Sequence, residues 1–290
     1  MRISVSKGFA LFVLLLLSPV TFALTPTQAQ ASDYAQLLSN CTPSEFYTPY
    51  VVSTFAAFDI NNDGFLDLNE MKIAYDTLTS IITYRYDDEN EINHEPRTIV
   101  GDGRPGPDYF QTPEETLKER AGDCEDFAIL FASLLNYYGY IAFVGDIDCD
   151  GDGEVDHATC LLYAPESTAD AVIELGLSDV VDVFETSPEE VAQKLHCELL
   201  GEGFEDWALI PIDGTYSEHF GYVSGAPIPE LEYFLADFYT VKDFMRMNPG
   251  AVPMPTPTTP EPITPEPTTP APTAPLVAAI IIALLLRKRM

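Results

Sequence analysis

Gly122-Asp123-Cys124-Glu125-Asp126 heads an apolar-periodic run, and that pairing constrains the fold more than any other stretch of the chain. Phe127, Leu130, Phe131, Leu134 and Leu135 recur at i, i+3, i+4, i+7 and i+8, the face of a helix that must be buried. Asp123 stands at the N-cap position and Gly139 at the stop. Cys124 therefore falls in the first helical turn, where orphan backbone N–H groups and the macrodipole favour an anion. Such a setting lowers a thiol pKa and prepares a nucleophile.

Two later residues extend the pattern. His157 opens the strand-like run Ala158-Thr159-Cys160-Leu161-Leu162-Tyr163, and Asp213 ends another, Trp207-Ala208-Leu209-Ile210-Pro211-Ile212. With Thr112-Pro113-Glu114-Glu115-Thr116-Leu117, Gly122-Asp123-Cys124-Glu125-Asp126-Phe127-Ala128 and Ile212-Asp213-Gly214-Thr215, this order resembles the transglutaminase-like branch of the papain-like superfamily over about residues 106–225. The resemblance implies an α+β fold in which the helix bearing the cysteine packs on an antiparallel sheet. It also implies a Cys124–His157–Asp213 triad. Cys124 would attack an amide carbonyl, His157 would take the thiol proton and later protonate the leaving amine, and Asp213 would hold the useful tautomer. The Cys124 backbone N–H is expected in the oxyanion hole, with Gln111 a candidate second donor. Residues about 165–205 read as an insertion longer than the family's usual link. His94, His196 and His219 read as surface or structural.

Two acidic loops point to calcium. Asp59-Ile60-Asn61-Asn62-Asp63-Gly64-Phe65-Leu66-Asp67-Leu68-Asn69-Glu70 fits the twelve-residue EF-hand loop. Asp59, Asn61 and Asp63 supply side-chain oxygens, Phe65 its carbonyl, Asp67 position nine and Glu70 the bidentate carboxylate. The second, Asp148-Cys149-Asp150-Gly151-Asp152-Gly153-Glu154-Val155-Asp156, offers Asp148, Asp150, Asp152, Glu154 and Asp156 but carries Thr159 at position twelve. It leads into a strand, and an acidic turn without metal is its alternative. A calcium ion there would fix the entry of the strand that carries His157.

The ends of the chain read as export and attachment. Arg2 and Lys7, an apolar run and Ala29-Gln30-Ala31 make residues 1–31 a secretory signal peptide. Residues 249–275 are a Pro/Thr-rich spacer that cannot form a core. Residues 276–286 are apolar but shorter than the roughly 20 residues that span a bilayer as a helix. With Arg287-Lys288-Arg289 they form a short hydrophobic anchor or a sorting tail. The expectation is an exported protein tethered at the outer face of the membrane or cell surface.

A net charge of −32 argues against nucleic acid as a partner, because phosphate contact needs Lys and Arg. Outside the cell, the four cysteines besides Cys124 (Cys41, Cys149, Cys160 and Cys197) are consistent with two disulfides. All three pairings stay open, Cys160 with Cys197 being one candidate link. Asn40-Cys41-Thr42 is a lone glycosylation sequon.

The order reads as an EF-hand module at 33–86, a linker or loop at 87–110, and a transglutaminase-like domain at 106–248. Ser187-Pro188-Glu189-Glu190 is a capping box for a helix running to about Leu200. Leu231, Phe234, Leu235, Phe238, Val241 and Met245 recur at the spacing of a helix docked on the core. The function expected is a calcium-binding cysteine enzyme acting on amide bonds of a protein or peptide, by hydrolysis or acyl transfer. The alternative is a non-catalytic, calcium-stabilised surface module.

Overall fold

A computed structural model describes residues 38–87, 109–149, 153, 155–179, 181–197, 200, 204–215, 220–221 and 234–247. The signal peptide, the spacer, the apolar tail and most of the 87–110 linker lie outside these residues, as do His94, His219, Asp150, Asp152 and Glu154. Among the described residues no helix is long and apolar enough to cross a membrane.

After helical residues 38–41 and a short 3-10 helix (Ser44–Phe46) come α1 (Pro49–Phe55) and α2 (Leu68–Ile81), then a short strand β1 (Thr83–Tyr84). Helix α3 (Pro113–Glu119), strand β2 (Ala121–Gly122) and helix α4 (Cys124–Tyr137) follow. Strands β3 (Ile141–Asp148) and β4 (His157–Pro165) precede α5 (Ser167–Glu174), α6 (Pro188–Lys194), β5 (Trp207–Ile212), β6 (Phe234–Tyr239) and α7 (Val241–Met247). Four strands form an antiparallel sheet in the order β5-β4-β3-β6, while β1 and β2 pair in parallel. This mixed, antiparallel architecture accords with an α+β transglutaminase-like core.

Helix α4 is the axle of the fold. It lies on β3 and β4, and every residue from Cys124 to Asn136 is buried. Its apolar side chains share one core with Ala142, Val144, Ala158 and Cys160 of the sheet and with Phe55, Phe58, Tyr75, Leu78 and Leu117 of the segments before it, Tyr75 lying against Phe131. Burial on all sides explains why the positions off the apolar stripe are small or apolar: Ala128, Ile129, Ala132 and Ser133. Asn136 fixes the helix end by bracketing Ala142 of β3, donating to its carbonyl (3.1 Å) and accepting its N–H (2.9 Å).

The sheet divides the core in two. Ala142, Val144, Ala158, Cys160, Leu162, Ile210 and Ile212 face α4. Ile141, Phe143, Leu161, Tyr163, Leu209 and Phe238 face away, where α6 covers them with Val191 and Leu195.

Three expectations are corrected. The run from Phe234 is not helical: residues 234–239 form β6, alternating outward and inward before Val241 starts the helix. Pairing with β3 overrides a spacing that fits both periods, as a short apolar run permits. The helix begun at Ser187 ends at Lys194, not Leu200, because His196 turns to a positive φ of 53°. The Cys160–Cys197 link is blocked by the sheet, since Cys160 faces α4 and Cys197 packs on the opposite core, and all five cysteines are free thiols in this structure.

Gly214 follows β5 where the sheet meets α4. A Cβ there would stand 2.4 Å from Phe131 Cε2 and 2.6 Å from Phe127 Cδ1. Gly214→Ala is therefore expected to cost about 1–3 kcal/mol. In urea unfolding this appears as a lower midpoint with an unchanged slope.

Candidate active site

The first turn of α4 is assembled by Asp126. Its carboxylate accepts the backbone N–H of Gln111 (2.7 Å), the Gln111 side-chain amide (2.6 Å) and the backbone N–H of the N-cap residue Asp123 (3.3 Å). Gly122 makes this possible, since a Cβ there would stand 2.6 Å from Asp126 Oδ2 and 2.7 Å from Asp126 Cβ. Burial, together with Glu125 and Asp87 nearby, pushes Asp126 well above the usual carboxylate range. Gln111 donates its remaining amide N–H to Ala121 O at 3.2 Å. It is thus a structural strut, not the second oxyanion donor considered from sequence.

Cys124 is the first residue of α4 and is 7% exposed. Its Sγ lies 3.2 Å from Glu125 Oε2 and beside the backbone of Ala158, the residue after His157. The expectation of a depressed thiol pKa is overturned. Burial, then Glu125 and Asp123, raise it well above the ordinary value, and the Ala158 N–H pulls only partly the other way. Burial and both carboxylates act against the thiolate.

His157 and Asp213 are brought together by β4 and β5. Their side chains are buried and joined Nε2 to Oδ2 at 2.8 Å. Asp213 Oδ1 accepts from both the backbone N–H and the hydroxyl of Thr215 (2.9 and 2.6 Å). Tyr75 of α2 donates its hydroxyl to the Asp213 carbonyl at 2.8 Å. Burial pulls the imidazole down, but the Asp213 charge and hydrogen bond, with Asp156, outweigh it and raise His157 above its ordinary value. Burial opposes ionisation of Asp213 too, yet His157 and Thr215 hold it below the usual range. No hydrogen bond joins Cys124 to His157 among the described residues. What touches Cys124 Sγ is the backbone N–H of Ala158, the residue that follows His157 on β4.

The loop 59–70 wraps on its own carboxylates. Asp59 accepts from the N–H groups of Asp63 (3.1 Å) and Gly64 (2.9 Å), Asn61 from Asp63 (2.8 Å), and Asp63 from Phe65 (2.9 Å). Glu70 reaches back to Ile60 (2.9 Å), Asn61 (3.2 Å) and the N-cap Asp67 (3.1 Å). Gly64 takes a φ of +86° at the sharp turn. An all-oxygen donor set of this kind fits a hard cation. In the second loop, Asp148 accepts from Gly153 N and Asp156 from Cys149 N, both at 2.9 Å.

A set the sequence reading missed lies beside the thiol. Carboxylate oxygens of Asp87, Asp123 and Glu125 converge within 4.8 Å of one another and could hold a metal ion. Two of them flank Cys124 in sequence, and that alternation was the available signal. Asp87 comes from a segment that reads only as linker.

Residues 68–166 match the family model of a transglutaminase-like domain. The match takes in α2, Cys124 and His157, and stops before Asp213. This supports the superfamily resemblance for that stretch. No curated protein matches the chain.

The signs of the two shifts predict how the buried pair titrates. Stability from His157, raised in the fold, is complete below about pH 6.5 and fades as pH rises through its folded pKa. Stability from Asp213, depressed in the fold, is present above about pH 4 and is lost as pH falls through its folded pKa. Asp213→Asn removes the main upward pull. NMR titration should then show His157 losing its proton at lower pH than in the wild type.

Proposed function

We propose that the chain is an exported, surface-tethered, calcium-binding cysteine enzyme that acts on amide bonds of proteins or peptides. The observation that carries this reading is the buried His157–Asp213 pair held next to the residue whose backbone touches Cys124 Sγ. In this reading His157 is a general base that deprotonates a neutral thiol as it attacks, rather than half of a resting thiolate–imidazolium pair. Asp213 keeps Nε2 occupied, so Nδ1 is the nitrogen left to face the nucleophile. The Cys124 N–H, at the head of α4, would serve as an oxyanion donor in this reading. The resulting thioester can be resolved by water or by an amine. We favour hydrolysis, which needs no acceptor site.

Calcium in the loop 59–70 would be held by Asp59, Asn61, Asp63, the Phe65 carbonyl, Asp67 and Glu70. The ion would replace internal N–H partners of those carboxylates and stiffen the start of α2. The second loop is proposed as a weaker site through Asp148 and Asp156, with Asp150, Asp152 and Glu154. The signal peptide and the tail would place the enzyme outside the membrane.

Limiting iodoacetamide near neutral pH, with calcium and with chelator, tests the enzyme reading. Mass spectrometry should find Cys124 modified ahead of the other four cysteines, and Cys124→Ala should lose that fast phase while keeping its fold. If Cys124 reacts no faster than buried Cys160, the non-catalytic surface module becomes the better account. For the metal, Asp59→Ala should weaken calcium binding in calorimetry by about tenfold or more. It should also abolish the rise in melting temperature that calcium gives the wild type.

A further inference from the structure

Cys41 and Cys197 lie far apart in sequence but share the core on the sheet face away from α4. Cys41 closes the helical residues 38–41 and is fully buried. Its neighbours are fastened on both sides. Asn40 donates to Leu195 O at the end of α6 (3.2 Å), and Thr42 accepts from Asn136 at the end of α4 (2.9 Å).

Cys197 is delivered to this place by the end of α6. His196 N bonds Gln193 O (3.1 Å) and Cys197 N bonds Ala192 O (3.0 Å), the paired bonds of a Schellman turn. That turn puts His196 at a φ of +53°, a conformation a β-carbon disfavours. The residue after the turn normally packs an apolar side chain back on the helix. Here it is a cysteine, half-buried, with Sγ only loosely placed 3.5 Å from Ala192 O. Burial, then the nearby Cys197, push Cys41 up to about 12. Among the described residues neither Cys149 nor Cys160 has its thiol shifted by another cysteine. Cys160 faces α4, and Cys149 sits with Ile147 by the second loop.

We propose that Cys41 and Cys197 form a disulfide when the chain folds in the presence of a small-molecule or protein disulfide donor. Cys197, the accessible partner, attacks the donor R–S–S–R as its thiolate, forming Cys197–S–S–R and releasing R–S⁻. Cys41 then attacks the Cys197 sulfur, forming Cys41–S–S–Cys197 and releasing the second R–S⁻. The two protons from the protein thiols end on two R–SH, and the two electrons reduce the donor. The bridge ties the segment leading into the calcium loop to the insertion that covers the back of the sheet, closing a long loop of chain.

The full chain is refolded in oxidised glutathione, trapped with N-ethylmaleimide, digested without reductant and mapped by mass spectrometry. A single linked pair joining the Cys41 and Cys197 peptides is expected, with Cys124, Cys149 and Cys160 carrying maleimide. Maleimide or glutathione on both Cys41 and Cys197, or a link from either to another cysteine, overturns the proposal. Melting temperature gives a second reading. Reductant should lower the wild type by roughly 10 °C, to the level of Cys197→Ala, and leave Cys197→Ala unmoved. An equal response to reductant in both proteins overturns the proposal as well.

Discussion

Three N–H groups converge on the carboxylate of Asp126 in a pocket closed to water, and the candidate site is built outward from there. Two come from Gln111, just before α3, and one from Asp123 at the head of α4. The carboxylate therefore locks two helix entrances together. Because a buried acceptor is costly to leave unsatisfied, the lock is specific. It forces residue 122 to lack a side chain, sets the N-cap at Asp123 and leaves Cys124 as the first residue of the helix. The Gly-Asp-Cys-Glu-Asp order is thus first a statement about helix architecture.

The second arm of the site reaches through α2. Glu70 is the third residue of that helix and the last donor of the acidic loop, and Tyr75 lies little more than one turn further on, holding the Asp213 carbonyl. The Tyr75 ring packs against Phe131 of α4 and Phe220, so the hydroxyl has little freedom. Tyr138 and Tyr140, just past α4, donate to the carbonyls of Phe55 at the end of α1 and Leu66 within the acidic loop. The acidic loop and the His157–Asp213 pair are therefore parts of one packed body, joined by helices on both sides. An event that stiffens the loop is mechanically connected to the residue that orients the imidazole.

Much of this was legible in the residues. The period of Phe127, Leu130, Phe131 and Leu134 placed α4, while Asp123 and Gly139 marked its ends, Gly139 with a φ of +86°. The runs after His157 and before Asp213 are the strands their β-branched and aromatic content implies. What failed depended on distant partners. Phe234–Tyr239 carries a pattern with both periods, and only the open edge of β3 decides for a strand. Helix position alone predicted an activated Cys124. The sign reversed because burial and the neighbouring carboxylates act together, and burial is not visible in a local motif. Gln111 looked available as a donor until its fold partners, Asp126 and Ala121, were in view.

The carboxylates around Cys124 sharpen what the His157–Asp213 pair has to do under the proposed cysteine-enzyme reading. The thiol of Cys124 is disfavoured as an anion by its own surroundings, so its reactivity should follow the base beside it rather than its position on the helix. The pH dependence of Cys124 alkylation, compared between the wild type and His157→Ala, tests this most directly. The account predicts that the wild type gains reactivity as His157 loses its proton, well below the pH at which the thiol would ionise unaided, and that His157→Ala loses this phase. Identical profiles in the two proteins would contradict it.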